Sequence, residues 1–104
     1  MSVIIKISEK ERTRQIRDYL KYRGAFHWKN FSTLGSVPGI PDIIGCLKKR
    51  CECGRIHGVF LGVEVKTPDN SLSKPQEKFI MNLKDAGGIA FKATSVEDLV
   101  VRGI

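Results

Sequence analysis

At 104 residues the chain is long enough for one domain with a real core and too short for two. Its 18 Lys and Arg against 11 Asp and Glu leave a net charge of +7, which points to a polyanionic partner, nucleic acid first. A basic run of the disordered-tail kind is missing, and no apolar stretch approaches the roughly 20 residues that cross a bilayer, so no membrane span and no membrane partner is expected.

Lys6 and Glu9 follow closely on Ile4 and Ile5, which leaves no signal-peptide core, and a cytoplasmic location is the expectation. Ser8 followed by Glu11 is a capping-box signature, and the stretch up to Arg23 carries no Gly or Pro before Gly24 ends it, predicting a first helix. At 100° per residue, Ile16 and Leu20 fall within about 20° of Glu9, whereas Glu11 falls on the far side. Glu9 is therefore an acid on the apolar stripe at the helix start, placed to face a site. A carboxylate in the first turn also favours the helix dipole, which is the plainer account of it. Glu11 is accounted for as the cap partner.

Residues 25–30 (Ala-Phe-His-Trp-Lys-Asn) alternate well enough for a strand. His27 and Trp28 fall on its opposite faces, and packing is the expected role of both. Residues 31–40 carry Gly35, Ser36, Pro38 and Gly39 without periodicity and predict a mobile loop of the kind that closes over substrate. Residues 42–47 then form a largely buried strand, with Pro41 tolerated only at its start. A turn is expected over residues 48–57, leading to a strand over 59–66.

Lys48, Lys49, Arg50 and Arg55 in that turn are placed to reach phosphates. Cys51, Cys53 and His57, with Cys46 nearby, raise zinc as an alternative, but the Cys-x-Cys-x₃-His spacing departs from the usual ligand pairs. The odd cysteine count does not fit a disulfide framework and agrees with a reducing compartment. Thr67-Pro68-Asp69-Asn70 is turn chemistry, Ser73 with Gln76 a second capping box, and Phe79, Ile80, Leu83 and Ala86 one face of the helix that follows. A short strand over residues 89–93 and a closing helical turn from Ser95 to Val101 complete a mixed α/β layer.

The chemistry concentrates at Gly62-Val63-Glu64-Val65-Lys66. Alternation puts Glu64 and Lys66 on one face and Val63 and Val65 on the other. Should the strand begun by Asp42 pair with this one, a second carboxylate converges on Glu64, and the two offer hard oxygen ligands to Mg²⁺ with a cation beside them. An Asp heading so apolar a run is costly unless something pairs with it. The simpler alternative is a polar face on a half-solvated strand.

Glu9 in the first helix, Pro41-Asp42 opening one strand, Glu64-Val65-Lys66 in the next and Leu72-Ser73-x-x-Gln76 opening the following helix together resemble the PD-(D/E)xK nucleases. The likeness is greatest to the compact VRR-NUC type, found in phages and as an appended domain in DNA-repair nucleases. Tyr19-Leu20, His27-Trp28-Lys29-Asn30, Gly39-Ile40-Pro41-Asp42-Ile43-Ile44-Gly45 and Ala86-Gly87-Gly88 fall where such domains place like residues, so the similarity spans nearly the whole chain. It implies a restriction-endonuclease-like αβββαβ core with a short C-terminal helix, one nuclease domain over residues 1–104. It further implies that Asp42 and Glu64, with the Val65 carbonyl and Glu9, hold Mg²⁺ or Mn²⁺, that Lys66 orients or activates the attacking water, and that Gln76 supports the site. Arg12 and Thr13 depart from the pattern, where relatives carry an apolar residue and Gln, so Glu9 and Glu11 both stay candidates for the acid of the first helix.

Two function classes follow. One is a metal-dependent DNA endonuclease, structure-selective on branched DNA such as Holliday junctions or flaps and acting as a homodimer, in the host cytoplasm if phage-encoded. The other is a basic nucleic-acid-binding adaptor with a zinc-ordered hairpin and no catalysis. Carboxylates facing phosphate favour the first, since a pure binder has no use for them. Lys29 and Lys74 join the four hairpin cations as candidate DNA contacts.

Overall fold

The computed structural model describes residues 6–31 and 37–104. Helix α1 spans Glu9–Tyr22, with Ser8 Oγ accepting from the Glu11 N–H at 3.1 Å, but the reciprocal half of the expected capping box is not made because the Glu11 carboxylate turns along the helix to Arg14. Thr13, Ile16 and Leu20 form its buried stripe. The chain then runs through β1 (Phe26–Lys29), β2 (Ile43–Arg50), β3 (Ile56–Val65), α2 (Lys74–Asp85), β4 (Ile89–Ala93) and α3 (Val96–Val100). Helix, three strands, helix, strand, helix is the expected order.

One sheet holds all four strands in the order β1-β2-β3-β4, the first three antiparallel and β4 parallel to β3. A parallel neighbour needs a crossover connection, and α2 supplies it. Ile43, Leu47, Leu61, Val63, Val65, Phe91 and Ala93 project from one face into a core shared with Ile16, Leu20, Leu99 and Ile104. Helix α2 lies on the opposite face, where Gly62 makes room for it. A Cβ at Gly62 would lie 3.0 Å from the Pro41 ring and 3.2 Å from a Leu83 methyl group.

The hairpin differs from expectation. Residues 48–50 and 56–58 are ladder, with Lys48 opposite Gly58, Lys49 opposite His57 and Arg50 opposite Ile56, so the turn shrinks to residues 51–55. Charged residues on a two-stranded ribbon beyond the core carry no hydrophobic alternation, which hid these strand ends. Cys51 and Cys53 are joined by a disulfide within that turn, while Cys46 is free and exposed. An odd count rules out a fully paired set and not a single pair. Residues 32–36 of the expected mobile loop lie outside the described residues. Among the described residues no helix is long and apolar enough to cross a membrane.

Candidate active site

Asp42 immediately precedes β2, and Ile43 pairs with Val63, so one further step of the register brings Asp42 opposite Glu64. Both project on the α2 side of the sheet. The Asp42 backbone carbonyl accepts from the Asn30 N–H at 2.7 Å, which ties it to the end of β1. Its Oδ2 accepts from the Val65 N–H at 3.0 Å, which ties it to the end of β3. Val65 thus enters the site through its N–H donor.

Glu64 is only 3% exposed. Its Oε1 accepts from Gln76 Nε2 at 3.0 Å, while Oε2 is buried without a hydrogen-bond partner. Gln76 also closes the cap of α2, its Oε1 accepting from the Ser73 N–H at 2.9 Å and its own N–H donating to Ser73 Oγ at 3.3 Å. With the amide oxygen committed to the cap, the amide nitrogen is the end left to face Glu64. The capping box explains Gln76 from sequence, and the fold turns the other end of the same amide to Glu64.

Burial pushes the Glu64 carboxyl up to about 8, and the neighbouring Asp42 carboxylate adds to the rise. Lys66 pulls it back, and Glu9 raises it a little further. A buried carboxylate with a bare oxygen beside a second carboxylate is an electrostatic deficit that a cation or a proton would fill. Two hard oxygen donors suit a divalent cation of the Mg²⁺ class, which keeps several waters and takes one or two carboxylates from the protein. Among the described residues no group of three or more His, Cys, Asp or Glu side chains converges as a metal site, so Glu9 stands apart from the Asp42 and Glu64 pair.

The two acids of α1 separate clearly. Glu11 receives Nε and Nη2 of Arg14 and is also reached by Gln15 at 3.4 Å, all along the exposed side of the helix. Glu9 lies one turn before Thr13 on the stripe that faces the sheet, and its charge is felt at Glu64. The departures at Arg12 and Thr13 also find their reasons. Arg12 donates to the Thr94 carbonyl at 2.7 Å and to the Ile7 carbonyl at 3.1 Å, pinning the helix start to the end of β4. Thr13 is buried, and its hydroxyl donates to the Glu9 carbonyl at 2.9 Å.

Lys48, Lys49, Arg50 and Arg55 are exposed along the ribbon, the first three on strand rather than in the turn. Lys74 is exposed in the first turn of α2. Lys29 belongs elsewhere, since its register partner Ile43 is a core-face residue and its ammonium stands 5.1 Å from the Phe31 ring centre. It borders a groove of about 790 Å³ between α1 and β1 that is also lined by Lys10, Arg14, Arg17 and Lys21. Arg14 is held there by Glu11 and Asp18, whereas Arg17 keeps a buried Nε without a partner. This groove was missed, although the spacing 10, 14, 17 and 21 on a helix was the signal for it. Cys51 and Cys53 are bonded to each other and His57 is exposed, so the thiols that a zinc reading needs there are consumed.

Trp28 departs from the expected packing role. It is 46% exposed and meets Phe26, itself 69% exposed, edge to face at 5.6 Å. His27 is half-buried, with Nδ1 2.9 Å from the Ala25 carbonyl, as a packing residue would be.

No curated protein and no solved structure matches the chain. The family model of the VRR-NUC domain matches residues 3–97, a span that contains Glu9, Asp42, Glu64, Lys66 and Gln76, and the chain therefore belongs to the VRR-NUC family of nucleases.

Proposed function

We propose that the protein is a metal-dependent DNA endonuclease of the PD-(D/E)xK kind that hydrolyses phosphodiester bonds at Asp42 and Glu64 on branched DNA. The observation that carries this reading is the bare, buried Oε2 of Glu64 beside Asp42, with the Lys66 charge close by. Mg²⁺ or Mn²⁺ held by Asp42 and Glu64, with Glu9 and the Val65 backbone at its margin, would supply Lewis acidity and a lowered pKa for water.

The protein's own residues then have separable tasks. Asp42 and Glu64 set the negative charge that recruits the cation, and Gln76 fixes the rotation of Glu64 by holding Oε1. Lys66 orients the attacking water and offsets charge building on phosphorus as the new P–O bond forms and the opposite ester oxygen leaves in line. No side chain needs to form a covalent intermediate. Lys48, Lys49, Arg50, Arg55, Lys74 and the groove containing Lys29 neutralise phosphates on the arms. A junction with two-fold symmetry is cut in pairs of strands, and one site per chain makes a homodimer the matching enzyme.

The test is a nicking assay on labelled duplex, flap and four-way-junction DNA with Mg²⁺, Mn²⁺ or EDTA. Cleavage of the branched substrates with either metal and none with EDTA is expected. Binding without cleavage under every condition would favour the adaptor reading instead.

A further inference from the structure

The α2 side of the sheet carries more than Asp42 and Glu64. Residues directly opposite one another on paired strands share a face, so the register arranges this side in rows. Asp42, Glu64 and Lys92 make the first, Trp28, Ile44, Gly62 and Ala90 the second, and Phe26, Cys46 and Phe60 the third. Lys48 with Gly58 and Arg50 with Ile56 follow. Helix α2 covers the β3 and β4 side through Leu83 over Gly62 and Ile80. It leaves Phe26, Trp28, Cys46 and Phe60 exposed, Phe60 by 42%. Rows two residues apart are separated by about 7 Å, so aromatic rings begin about 7 Å from the carboxylate row and continue to about 13 Å.

We infer that Trp28, Phe26 and Phe60 form a stacking platform for the unpaired bases of the strand whose phosphate lies at Asp42 and Glu64. The inference rests on the proposed nuclease site and names the form of its substrate. Three aromatics left open on one sheet face form an apolar patch of the kind that marks an interaction surface. Its continuity with the carboxylate row on one side and with Lys48 and Arg50 on the other selects the occupant, because bases offer π faces and the phosphates between them meet the cations. Stacked duplex bases present no free faces to such a platform, so a flap or an opened junction is the form that fits it. Lys66 and the carboxylates perform the hydrolysis, and the platform determines which strand arrives there.

Trp28 is the single tryptophan, so its emission reports on the platform directly. In EDTA, a short oligothymidylate should quench it, while a blunt duplex of equal length should quench it far less. Phe26→Leu and Phe60→Leu keep apolar area and remove the ring. Each should weaken oligothymidylate binding roughly fivefold or more. The double variant should lose most of the wild-type preference for flap DNA over plain duplex, read as the ratio of the two nicking rates. Unchanged affinity in both Leu variants overturns the inference, as does Trp28 emission that ignores the oligonucleotide. Emission that shifts to the blue as protein concentration rises, with light scattering of a dimer, would assign the face to a second copy of the chain and equally overturn it. Quenching by the oligonucleotide with no cleavage of any DNA would leave the platform standing and remove the nuclease site, so the two failures are distinguishable.

Discussion

Glu64 and Asp98 are both acids that accept hydrogen bonds within the fold, and the fold treats them in opposite ways. Asp98 Oδ2 accepts from the Thr94 N–H at 2.7 Å, from the Ser95 N–H at 3.3 Å and from the Thr94 hydroxyl at 3.2 Å. These donors, the Thr94 N–H foremost, hold its carboxyl below the usual range. Glu64 receives one donor and keeps one oxygen bare, and its burial first and the facing Asp42 carboxylate second raise its carboxyl. Where an acid only caps a turn, the local backbone satisfies it. Where an acid is to bind something from outside, its deficit is left open, and the free protein is less stable for it.

The largest effects that would break this comparison are at the open site. Asp42→Asn and Glu64→Gln keep shape and remove ligand charge. Both should abolish cleavage and calorimetric Mn²⁺ binding while DNA affinity holds or rises, since a charge repelling phosphate has gone. Normal Mn²⁺ binding by Asp42→Asn would show the site to be misassigned. Lys66→Met removes charge stabilisation without removing a ligand, so single-turnover cleavage should fall by a factor on the order of 10²–10³ with Mn²⁺ binding retained. Glu9→Gln should cost less, and Glu11→Gln should leave cleavage and Mn²⁺ binding unchanged, since its carboxylate serves an exposed ion pair with Arg14.

The pH dependence of the metal-free protein sharpens the contrast. A carboxyl raised on folding favours the folded state below its unfolded pKa, and that contribution is lost as pH rises through the folded value. For Glu64 the window runs from about 4.5 to about 8. Metal-free stability should therefore decline across it, and Glu64→Gln should flatten the decline and raise Tm near pH 8. A gain of about 1 kcal/mol would appear as roughly 4–8 °C in a thermal scan. Asp98 has the opposite sign, contributing above the ordinary 3.8 and losing the contribution as pH falls through its lowered value. Asp98→Asn should cost about 1 kcal/mol in denaturant unfolding and leave the cleavage rate alone. The smallest expected change is in binding. Neutralising Lys48 and Arg50 should lower the slope of log affinity against log salt by up to about two units on duplex DNA, and an unaltered slope would place the backbone elsewhere, with the groove at Arg17 the next candidate.

Local chemistry made much of this legible from sequence. Ser8 with Glu11 and Ser73 with Gln76 located two helix starts, and Gly24 the end of the first, because caps are written in adjacent residues. Alternation brought Asp42 and Glu64 together on the condition that their strands pair, and the register meets that condition. What escaped depends on partners distant in sequence. Trp28 is open because α2 crosses the sheet further along, a fact that no window around residue 28 contains. The ribbon strands escaped because charge on both faces erases alternation, and the α1 groove because its second wall, with Lys29, comes from another element, although the cations at 10, 14, 17 and 21 marked the first.

Gln76 couples folding to hazard. A nuclease with its chemistry assembled in a half-formed chain would be a danger to any nucleic acid near the ribosome. Here the amide that steadies Glu64 is the same amide that closes the first turn of α2, its oxygen accepting from the Ser73 N–H and its nitrogen donating to Glu64. A frayed first turn would leave that amide unanchored, so the hold on Glu64 is tied to a finished helix.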